Sequence, residues 1–303
     1  DDIQALNLLG STQFAAGDIN SAITTYSKAA QKDARNIDSH LGLARALIAD
    51  KKPTAARTAL QKSLQIDPAH LETRIALLRL EVSQNKPEAA LQIARLIQAE
   101  RPQSSLGHEL EADILAAQKR HPAASAAYEQ ALKRGAGSSV LIKLHRSQMQ
   151  AGADQASAQR LANWLKQHPG DNAVRAAAAD FAMATGDNRV AITHYQEIQR
   201  KTAPNVLVLN NLATLYQREK DARALATAEQ ALNLAPTNPN VQDTLGWILV
   251  ESNKTARGLD LLRRAAAAAP ESSAIRYHYA VALARSGDKT RARAELQKLL
   301  ADT

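Results

Sequence analysis

The chain has 303 residues, 45% of them apolar and 22% charged, with 38 lysines and arginines against 30 aspartates and glutamates for a formal charge of +8. That balance excludes a disordered tail, and the absence of cysteine excludes a disulfide framework, thiolate zinc centres and cysteine nucleophiles. No run of eighteen apolar residues suggests a membrane span, and no basic-then-apolar leader follows Asp1 and Asp2.

In chain order, the first signal is a small residue that returns about every 34 positions: Ala22, Ala56, Ala90, Ala124, Ser157, Ala191, Ala224, Gly258 and Ala292. A second series lies twelve residues earlier, at Gly10, Ala44, Leu78, Ala112, His145, Ala179, Ala213, Gly246 and Ala280. Two rows of small residues predict two closely packed helices in each unit. Between them falls a turn position held by Gly17, Lys51, Asn85, Lys119, Gly152, Gly186, Lys220, Asn253 and Gly287, where Gly and Asn suit a left-handed helix end. Helical spacing is clearest late in the chain, where Leu209, Leu212, Ala213 and Tyr216 fall at i, i+3, i+4, i+7, followed by Ala224, Leu225, Ala228, Ala231 and Leu232. Proline closes several units, at Pro68, Pro102, Pro169, Pro236 and Pro270. The expected tiling is 3–36, 37–70, 71–104, 105–137, 138–171, 172–205, 206–238, 239–272 and 273–303, a single array over 1–303.

These units resemble the tetratricopeptide repeat (TPR), through Leu9-Gly10, Gly17-Asp18, Ala22, Tyr26 and Ala29 in the first copy and Leu212, Ala213, Tyr216, Ala224, Ala231 and Pro236 in the seventh. The resemblance implies an all-α, right-handed superhelical solenoid of about nine helix-turn-helix repeats, with the first helix of each pair lining a concave groove. Glu111, His145 and Trp164 depart from the family pattern, and the fourth repeat is one residue short and ends on Gly135-Ala136-Gly137, so a bent or locally loose junction is expected over 105–171. Glu111 and His145 leave two readings open, a buried polar pair or a hydrated junction. Leu299 and Leu300 have no further helix to cover them, which suits a fragment of a longer array, a homo-oligomer joined through uncapped ends, or a short exposed end helix.

The ninth place of each repeat points into the expected groove, and puts Arg45, Arg79 and Arg146 there. Arginine offers a rigid fork of donors for carboxylates, so these residues suit an acidic peptide or an anionic polysaccharide; ordinary solvation, or pairing with Glu72 and Asp38, is the plainer reading. Farther along, Asn210, Asp243, Trp247 and Tyr277 mix polar groups with aromatic faces suited to peptide or sugar, although Trp247 and Tyr277 also fit a partial core. The Lys-and-Asn pattern by which chaperone-binding members clamp a C-terminal carboxylate is not reproduced. The eight histidines are dispersed without i, i+4 pairs, so no metal site and no cofactor are expected. Ser83-Gln84-Asn85-Lys86 is an isolated S-x-x-K run in a turn, and with no inserted domain to wall off a pocket the expectation is a non-enzyme. The dilute charge and scarce aromatics argue against nucleic acid.

The last repeats carry a narrower resemblance, through Asp243-Thr244-Leu245-Gly246-Trp247-Ile248-Leu249-Val250, Ala256-Arg257-Gly258-Leu259 and Tyr277-His278-Tyr279-Ala280-Val281-Ala282-Leu283. They resemble the C-terminal part of the long repeat lipoproteins that accompany bacterial PEP-CTERM/exosortase sorting and exopolysaccharide loci. Members of that family are longer, exported and lipid-anchored through an N-terminal cysteine, which this sequence does not contain. The resemblance implies a periplasmic, outer-membrane-anchored scaffold whose groove docks a protein of an exopolysaccharide assembly, export or sorting system. Direct binding of an anionic polysaccharide and a cytoplasmic assembly adaptor stand as alternatives.

Overall fold

A computed structural model describes residues 2–152 and 154–301. The described residues form eighteen helices and no strand. In order they are α1 (Ile3–Ala15), α2 (Ile19–Lys32), α3 (Ile37–Ala49), α4 (Pro53–Ile66), α5 (Leu71–Ser83), α6 (Pro87–Glu100), α7 (Leu106–Ala117), α8 (His121–Lys133) and α9 (Ser138–Gln150). There follow α10 (Asp154–Gln167), α11 (Asn172–Ala184), α12 (Asn188–Lys201), α13 (Val206–Arg218), α14 (Arg223–Leu234), α15 (Pro239–Glu251), α16 (Thr255–Ala268), α17 (Ser273–Arg285) and α18 (Lys289–Ala301). The fold is an all-α repeat solenoid in which each 34-residue sequence unit holds one helix pair.

Local chemistry sets the helix ends. Asp18, Asn36, Asp171 and Asp187 cap first turns by accepting from backbone N–H groups at 2.9–3.3 Å, which satisfies donors that a helix start leaves open. Pro53, Pro87 and Pro239 open their helices, where no N–H is needed. All nine turn positions between paired helices take positive φ, from 54° at Asn85 and Lys220 to 93° at Gly287. Lysine and asparagine are thus held in the left-handed region as well as glycine.

Both rows of small residues are buried where paired helices cross. In the eighth pair the crossing is a contact of bare backbones: a Cβ added to Gly258 of α16 would lie 2.6 Å from the Gly246 carbonyl oxygen of α15. In the first, the ring of Tyr26 slots between Gly10 and Gly42, and a Cβ on Gly42 would sit 2.3 Å from that ring. The fifth crossing is polar. His145 Nδ1 hydrogen-bonds Ser157 Oγ, and both side chains are buried. Glu111 is instead held by Gln98 Nε2 at 2.7 Å and Arg95 Nε at 3.2 Å, so the Glu111–His145 pair considered from the sequence does not form.

The chain divides into two compact units, Asp1–Ser157 and Ala158–Thr303, and the boundary falls inside α10. In the first unit the core runs through Leu41, Leu60, Leu80, Leu91, Leu115, Tyr128 and Leu144. Two ion pairs brace it from within: Arg57 grips Glu81 of α5 with two bonds of 2.7 and 2.9 Å, and Arg74 grips Glu100 of α6. In the second unit Tyr195, Ile198, Leu212, Leu215, Leu245 and Leu249 form the core. At the short fourth repeat Gly135 has φ 81°, Ala136 is buried, and Arg134 Nε donates to the Pro102 carbonyl at 2.9 Å.

Candidate functional site

In the first unit the first helices α1, α3 and α5 enclose an open groove of about 580 Å³. Residues 45, 48 and 49 share one face of α3, and 72, 75, 76 and 79 share one face of α5, because side chains three and four apart stack along a helix. Phe14, Ile48, Ile75 and Ala76 supply apolar wall, while Arg45 and Arg79 stand on its two sides. The sequence spacing that put these arginines one repeat apart on one surface therefore corresponds to a single groove. Both are exposed, and among the described residues neither guanidinium has an ion pair or a hydrogen bond. Of the two plainer readings the structure shows solvation: among the described residues Glu72 lies 3.5 Å from His70 Nε2 and neither it nor Asp38 pairs with these arginines. Arg45 acts only at longer range, where its charge opposes the burial that pushes the Tyr26 hydroxyl above its ordinary pKa.

Arg146 lies in a different place. It lines a second opening of about 490 Å³ with Asp113, Tyr128, Lys143, Ser147 and Gln150, between α7 and α9. Asp113 is already satisfied there, accepting from Lys143 Nζ at 2.8 Å and from the Tyr128 hydroxyl at 2.7 Å. Burial first, and then this aspartate, push the Tyr128 hydroxyl well above its ordinary pKa. The same arrangement recurs in the second unit, where the Tyr195 hydroxyl donates to Asp180 and accepts from Asn211 Nδ2 at 2.7 Å. The three arginines are thus a pair and a singleton.

The second unit carries an aromatic and charged cluster on α15 and α17. Trp247 stacks on His278 with ring centres 4.4 Å apart and planes 19° from parallel, and Asp243 holds His278 Nδ1 at 2.9 Å. The Arg285 guanidinium lies 5.7 Å over the Trp247 ring and pairs with Glu251 at 2.7 Å. Tyr277 is 53% exposed, its ring centre 6.2 Å from that of His278. Asn210 of α13 makes no side-chain hydrogen bond to this cluster among the described residues, and its Oδ1 is buried without a partner. Metal-ligand spacing does not mark His278 as a site residue. The signal that finds it is repeat register: His278 follows Asp243 by one repeat and one residue, as Arg285 follows Glu251 by one repeat.

Among the described residues no group of three or more His, Asp or Glu converges as a metal site, and no helix is long and apolar enough to cross a membrane.

Stacked helix pairs with small residues at each crossing and a left-handed residue at each turn define a helical-repeat protein. Two models of the tetratricopeptide repeat match the sequence, one over residues 13–62 and 47–114 and the other over 244–303, together more than half of its length. The chain belongs to the tetratricopeptide repeat family. No curated protein matches it in sequence. Among solved structures it is similar to the APC/C hetero-tetramer Cut9–Hcn1 (19% identity, TM-score 0.56), which covers 92% of this chain, and it spans 55% of the length of that one. A tetratricopeptide repeat protein from Parabacteroides merdae is similar at 14% identity and TM-score 0.56, over 82% of this chain and 98% of its own. Yeast Tom70 is similar at 12% identity and TM-score 0.50, over 98% and 84%. At these identities the likenesses establish the fold alone.

Proposed function

We propose that this chain is a non-enzymatic interaction scaffold that docks a partner protein on the first-helix faces of its repeats. One observation carries the reading: in the first unit Arg57, Arg74 and Arg95 are paired with carboxylates, yet Arg45 and Arg79 stand open over an apolar wall. Two guanidiniums without counter-ions cost little in water but gain strongly when a complementary group excludes that water. The Trp247, His278 and Tyr277 cluster offers a second contact surface of the kind that aromatic and arginine side chains make in interfaces. We assign the partner to a bacterial exopolysaccharide assembly or export system, or to PEP-CTERM sorting, with the protein at the periplasmic face of the outer membrane. Support for that assignment is the resemblance of residues 243–283.

The test is affinity capture from periplasmic extract of a bacterium carrying such a system. A stoichiometric protein partner retained by the parent chain is the expected result. A blank from the parent chain overturns the reading.

A second reading, direct binding of an anionic polysaccharide, draws on Arg146, whose surroundings of hydroxyl and amide groups suit sugars better than the apolar Arg45–Arg79 groove does. It predicts binding of an oligouronate that weakens steeply with salt and with Arg146→Ala. Calorimetric titration showing neither effect removes it.

A further inference from the structure

The groove between α1, α3 and α5 also specifies the chemistry of what covers it, an inference that rests on the scaffold reading above. Arg45 and Arg79 hold the same place in consecutive repeats, so they stand at one level on α3 and α5, two helices in direct contact. Helices packed side by side lie about 8–10 Å apart, which sets the separation of the two guanidinium stems. Glu72, the carboxylate in the same groove, lies seven residues along α5, roughly 10 Å away at 1.5 Å per residue. The level of the arginines is thus doubly positive, and Phe14, Ile48, Ile75 and Ala76 line the same groove.

Three classes of anion differ in how they meet that surface. A glycan covered in hydroxyls leaves the apolar wall wet. A fatty acid buries the wall but brings one carboxylate for two guanidiniums. A peptide brings two carboxylates and apolar side chains together. In the polyproline II form, side chains at i and i+3 point the same way and stand about 9 Å apart, which matches the spacing of adjacent first helices. A β-strand does not, because its residues i and i+3 face opposite sides.

We propose that this groove takes an extended acidic segment of the partner protein, Glu-x-x-Glu in polyproline II form. The two glutamates pair with Arg45 and Arg79, and an apolar residue between them lies on Phe14, Ile48 and Ile75. The stiff conformation limits the ordering cost, and each carboxylate meets a planar fork of donors.

Isothermal titration calorimetry with the peptide Gly-Glu-Leu-Pro-Glu-Gly tests this, its ends acetylated and amidated so that no terminal carboxylate takes part. Binding is expected, and affinity should fall roughly tenfold or more when either glutamate becomes glutamine, or when the protein carries Arg45→Gln or Arg79→Gln. Placing the glutamates two apart should cost as much. Both arginines are exposed and unpaired, so unchanged circular dichroism of the variants is expected and separates a binding loss from misfolding. Equal heats from the glutamate and glutamine peptides overturn the proposal, as does binding that ignores both arginine changes or an oligouronate that binds through them when the peptide does not. Capture of a periplasmic partner by an Arg45→Gln/Arg79→Gln protein would sink this inference and leave the scaffold reading standing; loss of capture by the parent chain sinks both.

Discussion

Replacing Gly258 with alanine tests the helix crossing on which the repeat is built. The added Cβ would lie 2.6 Å from the Gly246 carbonyl oxygen, 2.7 Å from Val250 Cγ2 and 3.1 Å from the Val250 nitrogen. Two of those three atoms are backbone of α15, which cannot rotate away, so α15 and α16 must part by about half an ångström or more. Overfilling a packed core costs about 1–3 kcal/mol. Alanine gains back about 1 kcal/mol over glycine in a helix interior, and the balance is a net loss of up to about 2 kcal/mol. Leu249, Val250 and Leu262, all fully buried, lose contact as the helices separate. Because repeat arrays open locally, the measurement is native-state hydrogen exchange across 239–268 together with a urea midpoint from circular dichroism. Gly170→Ala is the control, an exposed turn where an added Cβ meets nothing within 4 Å, and it should be neutral or slightly stabilising. If Gly258→Ala protects α15 and α16 as well as the parent does, the close crossing is wrong.

Three further outcomes follow from the same packing. Glu81→Gln removes the charge that Arg57 grips at 2.7 and 2.9 Å, on a carboxylate side chain only 8% exposed, and should destabilise the first unit by about 1.5–3 kcal/mol in urea titration; a change below the fitting error refutes the brace. Lys51→Gly relieves a side chain held at φ 56° and should stabilise by about 0.5–1 kcal/mol by thermal melt; a loss of stability contradicts that reading of the turn. Tyr26, Tyr128 and Tyr195 have hydroxyl pKa values raised above 10.0, first by burial and for the last two also by Asp113 and Asp180. A raised acid contributes stability that is complete below the unfolded pKa and is lost as pH climbs toward the folded one, so stability should decline above about pH 10. Tyrosinate absorbance of the native protein should accordingly lag that of the urea-unfolded chain, and coincident curves would exclude it.

Much of the fold was legible because burial repeats with the helix pair. Ala22, Ala56 and Ala90 are small for one reason each time, the crossing of two backbones, and the nine turn residues share a left-handed φ because every hairpin closes the same way. What escaped was what joins one repeat to the next. Tyr26 fills the slot left by Gly10 and Gly42, which lie sixteen residues away on either side and carry no pattern that names the ring. The Arg57–Glu81 pair between two repeats, and the Arg74–Glu100 pair within one, depend on side-chain directions that periodicity does not contain. At the fifth crossing a histidine and a serine take the two places of the small rows, and neither reading of Glu111 and His145 named Ser157 as the partner of His145. For the candidate site, register placed Arg45 and Arg79 together correctly, but only the structure separated Arg146 from them and put His278 between Asp243 and Trp247.

The central claim is that partners meet the first-helix faces. Photocrosslinking tests it most directly, with a benzophenone residue placed at Ile48 on the groove of α3 in one protein and at exposed Thr58 of α4 in another. The account predicts a partner adduct from position 48 that is abolished by Arg45→Gln/Arg79→Gln, and none from position 58. An adduct from position 58 with none from position 48 would contradict it.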